Sequence, residues 1–188
     1  MDILEIFSAQ KGYLQSKQLV SRTQRHRLNE MVDAGEVTKV KRGLYKYTQM
    51  ATEDEWDEVS RIVPNGVICL FSAWQFYGLT THISSEYHMA IPNKSKVVLP
   101  PFPPIKIYYW SDNYYNLGKI NENGINIYTV EKSVCDAIRY RNKVGKDIAT
   151  EVLRNYLKRT NKNIDLLLKY AKPLRVDNIL RQYLEVLI

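Results

Sequence analysis

Cysteine is almost absent: only Cys69 and Cys135 occur, far apart and each inside an apolar run. That excludes a disulfide framework and the paired spacing of a zinc site, and it points to two buried free thiols. Glycine and proline are also scarce, at 8 and 7 residues, so collagen-like and low-complexity architectures are excluded. No repeat recurs at the period of a solenoid or propeller. Histidine is limited to His26, His82 and His88, none at the spacing of helical metal ligands, so no metal and no cofactor is expected. The phosphate-binding loop, the dinucleotide fingerprint, the zinc-protease helix, the nucleophile elbow and the C-x-x-C pair are all missing, and with them the common enzyme signatures.

The opening MDILEIFSAQKGYL lacks the basic segment, apolar stretch and cleavage site of a secretory leader. The uncharged stretch from Ile62 to Ser85 is long enough to span a bilayer but is broken by Pro64, Asn65, Gly66, Gln75 and His82, unlike a membrane helix. These features lead us to expect a cytoplasmic chain without membrane contact.

What is present is positive charge and a sizeable apolar fraction. The 188 residues are 45% hydrophobic and carry 27 Lys+Arg against 20 Asp+Glu, a net +7, which biases the partner towards a polyanion. The excess is uneven. Basic residues dominate 1–50, and Glu53, Asp54, Glu55, Asp57 and Glu58 follow. We therefore expect a first domain over 1–50, a helical connector over 51–60 carrying Trp56 and Val59, and a second domain over 61–188.

In the first domain, Ile3, Ile6 and Phe7 recur at helical spacing until Gly12, predicting a helix from Asp2 to about Gln10. Ser16 is a candidate N-cap for a short helix containing Leu19 and Val20. Ser21 with Gln24 has capping-box spacing for a third helix from about Arg22 to Ala34, stopped by Gly35. The segment EVTKVKRGLYKYTQ then reads as a two-stranded hairpin with a cationic middle. Three short helices and a basic hairpin make a winged helix-turn-helix.

In the second domain VICLF (67–71) reads as a strand or buried segment, followed by Ser72 as the cap of a short helix that Gly78 ends. Further strands are expected at Tyr87–Ile91, Ile105–Trp110 and Ile125–Tyr128, the last pairing with LGKI through Asn121 to Gly124. Pro100, Pro101, Pro103 and Pro104 mark a stiff extended connection. Thr129 is a candidate N-cap for a helix with Val130, Val134, Ala137 and Ile138 on one stripe, and leucine-rich helices follow from Ile148. The expected fold class is α+β: an N-terminal winged helix-turn-helix, then a mixed α/β domain with a small sheet and C-terminal helices.

A helix entering the major groove needs long donors, because Arg pairs with guanine and Gln or Asn with adenine. Arg22, Gln24, Arg25 and Asn29 supply those types on the third helix, while Lys39, Lys41 and Arg42 on the hairpin suit phosphates. The same residues also fit a solvated basic helix face and a strand edge protected from pairing. A fainter second basic surface gathers Arg154, Lys158, Arg159 and Lys162. Glu131, Lys132 and Asp136 have the residue types of a magnesium-dependent nuclease, although Glu131 in a first helical turn complements the helix dipole without chemistry.

The stretch GEVTKVKRGLYKY, followed by FSAWQFYGLTTH, YTVEKSVCDAIRY and DIATEVLRNYL, resembles the AbiEi antitoxins of bacterial abortive-infection systems over nearly the whole chain. The resemblance implies a type IV antitoxin. Its N-terminal winged helix-turn-helix would bind inverted repeats in double-stranded DNA upstream of its own operon, and its C-terminal domain would relieve the toxicity of a neighbouring nucleotidyltransferase without a stable complex. Family DNA contacts map by position onto Arg22, Gln24, Arg25, Lys39, Lys41 and Arg42, and no catalytic motif carries over. Self-association on a palindrome is a further implication. The competing reading is a magnesium-dependent nuclease or nucleotidyl-modifying enzyme targeted by the winged helix; a third makes the winged helix a protein-interaction module.

Overall fold

The structure, a computed structural model, describes residues 2–51 and 54–187. Among these the chain is mixed α+β, with nine α-helices and two sheets. It divides into two compact units, Met1–Pro64 with Val98–Phe102, and Asn65–Val97 with Pro103–Ile188. Thr52 and Glu53, inside the expected connector, lie outside the described residues.

The first unit opens with α1 (Ile3–Ala9), whose Asp2 cap and Glu5 form a reciprocal capping box. Strand β1 (Tyr13–Gln15) and a single 3₁₀ turn (Ser16–Gln18) follow, then α2 (Arg22–Asp33), capped by Ser21 and Gln24 as the spacing predicts. Strands β2 (Val37–Lys41) and β3 (Leu44–Tyr47) form the hairpin, and β1 adds to it in the antiparallel order β1-β3-β2. Two expectations change here. The short helix at Ser16 is only a 3₁₀ turn, because Leu19 leaves it in an extended conformation and Val20 is 87% exposed, so no apolar face exists to support another turn. The residues between α1 and that turn pair as a third strand instead of forming a plain link.

Ile3, Ile6, Phe7, Leu14, Leu28, Met31 and Val37 close the core of this unit. Helix α3 (Glu55–Ile62) belongs to it. Asp54 caps α3, and Tyr13 donates to Glu58 at 2.9 Å while Arg61 lies 4.6 Å from the centre of the Tyr13 ring. Asp57 and Glu58 thus lie on an ordered helix, where Glu58 pairs with Lys46 of the hairpin and offsets part of its charge.

The second unit is a five-stranded sheet in the order β6-β5-β4-β8-β7, with helices following. Strand β4 is only Val67–Ile68. Helix α4 (Leu70–Phe76) begins after Cys69, not after Ser72, because Leu70 turns to a positive φ of 46° and ends the strand early. Ser72 instead accepts from the His88 backbone at 2.8 Å. β5 (Tyr87–Pro92) and β6 (Ile105–Trp110) run parallel, so the proline-bearing stretch between them is a crossover. After α5 (Asp112–Asn116), β7 (Lys119–Glu122) and β8 (Ile125–Tyr128) form a two-residue hairpin. Its Asn123 and Gly124 both take positive φ, 53° and 93°, the backbone that matches strand twist in such turns.

Thr129 caps α6 (Val130–Val144) by accepting from the Lys132 amide. α7 (Lys146–Leu157), α8 (Ile164–Ala171) and α9 (Asp177–Leu187) complete the unit. The core joins Val134, Ala137 and Ile138 of α6 to Val152, Leu153 and Tyr156 of α7 and to Trp74 of α4. Both cysteines are free and buried there. Among the described residues no helix is long and apolar enough to cross a membrane.

Candidate nucleic-acid interface

Helix α2 buries Leu28 and Met31 and turns Arg22, Arg25 and Asn29 outward. The 3.6-residue period separates the two sets, since 28 and 31 share one face and 22, 25 and 29 another. Arg22 and Asn29 have no hydrogen bond or ion pair among the described residues, and Arg25 makes only one long bond, 3.5 Å to the Leu19 carbonyl. These three donors are open to a ligand. Arg27 and His26 point towards Glu30, at 3.2 and 4.0 Å, so that edge of the helix is closer to neutral.

Gln24 is different from its sequence expectation as a base reader. Its Oε1 accepts from the Val20 and Ser21 amides at 3.0 and 3.2 Å, holding the start of α2. On the hairpin, Lys39 and Arg42 are exposed, whereas Lys41 is turned back: its Nζ donates to the Ile62 carbonyl at 2.6 Å, and burial pushes its pKa down. Lys46 pairs with Glu58. Of the hairpin cations, then, Lys39 and Arg42 are the exposed ones, without an ion pair among the described residues. The reason is α3, whose last carbonyls need donors and whose acids need cations.

The residues of the second basic group differ in setting. Arg159 donates to the Tyr77 carbonyl at 2.9 Å and is half-buried, and Lys162 bonds the Arg159 carbonyl at 3.3 Å. Arg154 lines a cleft of about 360 Å³ with Tyr183 and Val186 of α9, and Lys158 is exposed.

The residues weighed for magnesium chemistry are interior. Lys132 lies among the rings of Trp110, Tyr114 and Tyr128, its Nζ 4.0–4.1 Å from their centres. Asp136 receives Lys132 on one oxygen and the Tyr114 hydroxyl on the other. Glu131 accepts from Tyr156 at 3.2 Å. Burial pushes the Asp136 carboxyl up and the Lys132 ammonium down, and each partner opposes the other's shift. Both oxygens of Asp136 are committed to protein donors. No group of three metal-ligating side chains occurs among the described residues.

Two contacts escaped the sequence reading. His88 is buried, with Tyr108 Oη 2.9 Å from Nδ1 and Ser84 Oγ 3.1 Å from Nε2, and burial, Lys106 and His82 push it down to about 4. The Lys132 cage was signalled only by charged residues lying inside the apolar stripe of α6. No family model matches the chain, and no curated protein matches it.

Proposed function

We propose that the first unit is a winged helix-turn-helix that binds double-stranded DNA, and that the chain acts as an antitoxin of the AbiEi type repressing its own operon. The observation that carries the DNA reading is the exposed, unpaired Arg22–Arg25–Asn29 face of α2 beside a hairpin with Lys39 and Arg42 exposed. The order α1, β1, turn, α2, β2, β3 with β1 added to the hairpin supports reading α2 as the recognition helix and the hairpin as the wing. In this reading α2 enters the major groove, where Arg25 and Asn29 meet base edges, and the wing rests on phosphates.

The antitoxin part rests on the family motifs, whose residues form the hairpin, α4, α6 and α7. Fluorescence anisotropy over a salt series tests the DNA reading, comparing the duplex upstream of the gene with a scrambled duplex of equal length. A preference of roughly 10³ with a steep salt slope supports it; equal binding overturns it. Co-expression with a nucleotidyltransferase encoded beside the gene tests the antitoxin reading by restoring growth. Failure to restore growth with DNA binding intact leaves a plain repressor.

A further inference from the structure

The second unit carries a cluster of cations that the DNA reading does not use. At the C-terminal half of α6 and the turn between α8 and α9, Arg139, Arg141, Lys143 and Arg175 converge on a cavity of about 370 Å³. None of the four forms an ion pair among the described residues, and no carboxylate lines the cavity. Asp177, the neighbouring acid in the chain, meets Arg181 through Oδ2 at 3.4 Å, while its buried Oδ1 has no hydrogen-bond partner among the described residues. Four like charges around one space repel one another, and an anion between them relieves that repulsion.

Two of the cations are held in place. Arg139 donates to the Leu174 carbonyl at 2.6 Å and lies 4.9 Å from the Tyr114 ring centre, and Arg141 donates to the Ile138 carbonyl at 2.9 Å. Each guanidinium spends one N–H on backbone and keeps others for a ligand, so little ordering remains to be done on binding. Arg175 stands where the chain leaves α8, at a positive φ of 57°, with the Val176 amide bonded to the Ala171 carbonyl at 3.0 Å. Glycine is the usual residue for that helix-ending geometry, so an arginine there carries backbone strain and puts a cation at the rim.

Tyr140 and Ile179, both half-buried, line the same cavity, while Leu174 and Val176 are buried. A cationic rim beside a partly exposed tyrosine ring fits a ligand that is a phosphate at one end and a flat aromatic ring at the other.

We infer that this cavity binds a nucleoside phosphate, either free or as the phosphorylated end of a nucleic acid strand. The site is independent of α2 and the hairpin, so it stands or falls apart from the DNA reading.

The test is calorimetric titration of the full chain at low salt with adenosine monophosphate, adenosine, inorganic phosphate, and a short single strand with or without a 5′-phosphate. Adenosine monophosphate should bind saturably and adenosine should not. A phosphorylated strand that binds more tightly than the mononucleotide assigns the ligand to strand ends, and the reverse order assigns it to free nucleotide. Arg175→Gly relieves the strained backbone while removing a cation, so it should melt no lower than the parent yet bind roughly tenfold more weakly. Lys143→Glu should weaken binding further and leave duplex DNA affinity unchanged. Absence of saturable binding by every phosphate-bearing probe, equal binding of adenosine, or full affinity in both variants overturns the proposal.

Discussion

Lys132 Nζ lies 2.6 Å from Asp136 Oδ2, one turn apart on α6, and neither side chain is exposed. The ammonium is enclosed by three aromatic rings and the carboxylate receives a tyrosine hydroxyl, so both charges have protein partners. Removing one partner strands the other. Asp136→Asn and Lys132→Met should each cost about 3–5 kcal/mol, read as a fall in the urea midpoint. The double change Lys132→Met with Asp136→Leu should recover much of that loss. Single variants as stable as the parent would show that the pair is not holding α6 against α5 and the sheet.

On the hairpin, neighbouring cations should separate by function. Arg42 is exposed at the tip, while Lys41 donates to the end of α3. Arg42→Glu should weaken all duplexes alike and flatten the salt slope by about one. Lys41→Met should instead lower stability by about 1 kcal/mol, the half-exposed setting reducing the usual value for a charged hydrogen bond, and leave DNA affinity nearly unchanged. Anisotropy and urea denaturation on the two variants check the contrast; equal losses of DNA affinity would return Lys41 to the interface.

Some of this was legible in the chain. The Ser21–Gln24 spacing named the start of α2, the Thr129 cap named the start of α6, and the strand bounds at 105–110 and 125–128 coincide with those expected from β-branched and aromatic runs. Local rules sufficed there because partners lie within one turn or one hairpin. They failed where a distant element decides. Tyr13–Gln15 is too short to show alternation and is a strand only because β3 lies beside it. VICLF has the composition of a strand throughout, yet the positive φ at Leu70 ends it after two residues. Gln24 could read a base or cap a helix, and composition does not rank those uses. The direction of Lys41 depends on a carbonyl 21 residues away.

Gly12 is the position in the first unit where a side chain has no room. Its φ is +83°, and a Cβ there would overlap the backbone of Met50 and Ala51. Its amide donates to the Phe7 carbonyl at 2.7 Å and its carbonyl receives the Tyr47 amide at 2.8 Å, so it also joins α1 to the end of β3. Gly12→Ala combines left-handed strain with a backbone clash and should cost roughly 3 kcal/mol or more. Because α2 and the hairpin share that core, duplex affinity should fall with the stability of the unit. A variant that melts like the parent would mean that the chain at 50–51 yields easily.

His88 gives the second unit a pH dependence whose sign is fixed by its surroundings. Burial, helped by Lys106 and His82, holds the imidazole down to about 4, against 6.5 when exposed. In the unfolded chain the ring takes a proton as the pH falls through 6.5, while in the folded chain it refuses one until about 4. The unfolded state therefore binds more protons across that window, and stability present in full above it declines as the pH drops through it. Allowing for partial solvent screening, the loss should reach about 2 kcal/mol by the lower end. His88→Gln cannot take up that proton, so its urea midpoint should fall less steeply between those two pH values. Parallel acid slopes for parent and variant would assign the acid sensitivity to other groups, with Glu151 first among them: its hydrogen bonds to Thr80 and Thr81 hold its carboxyl below the usual range and are lost on protonation.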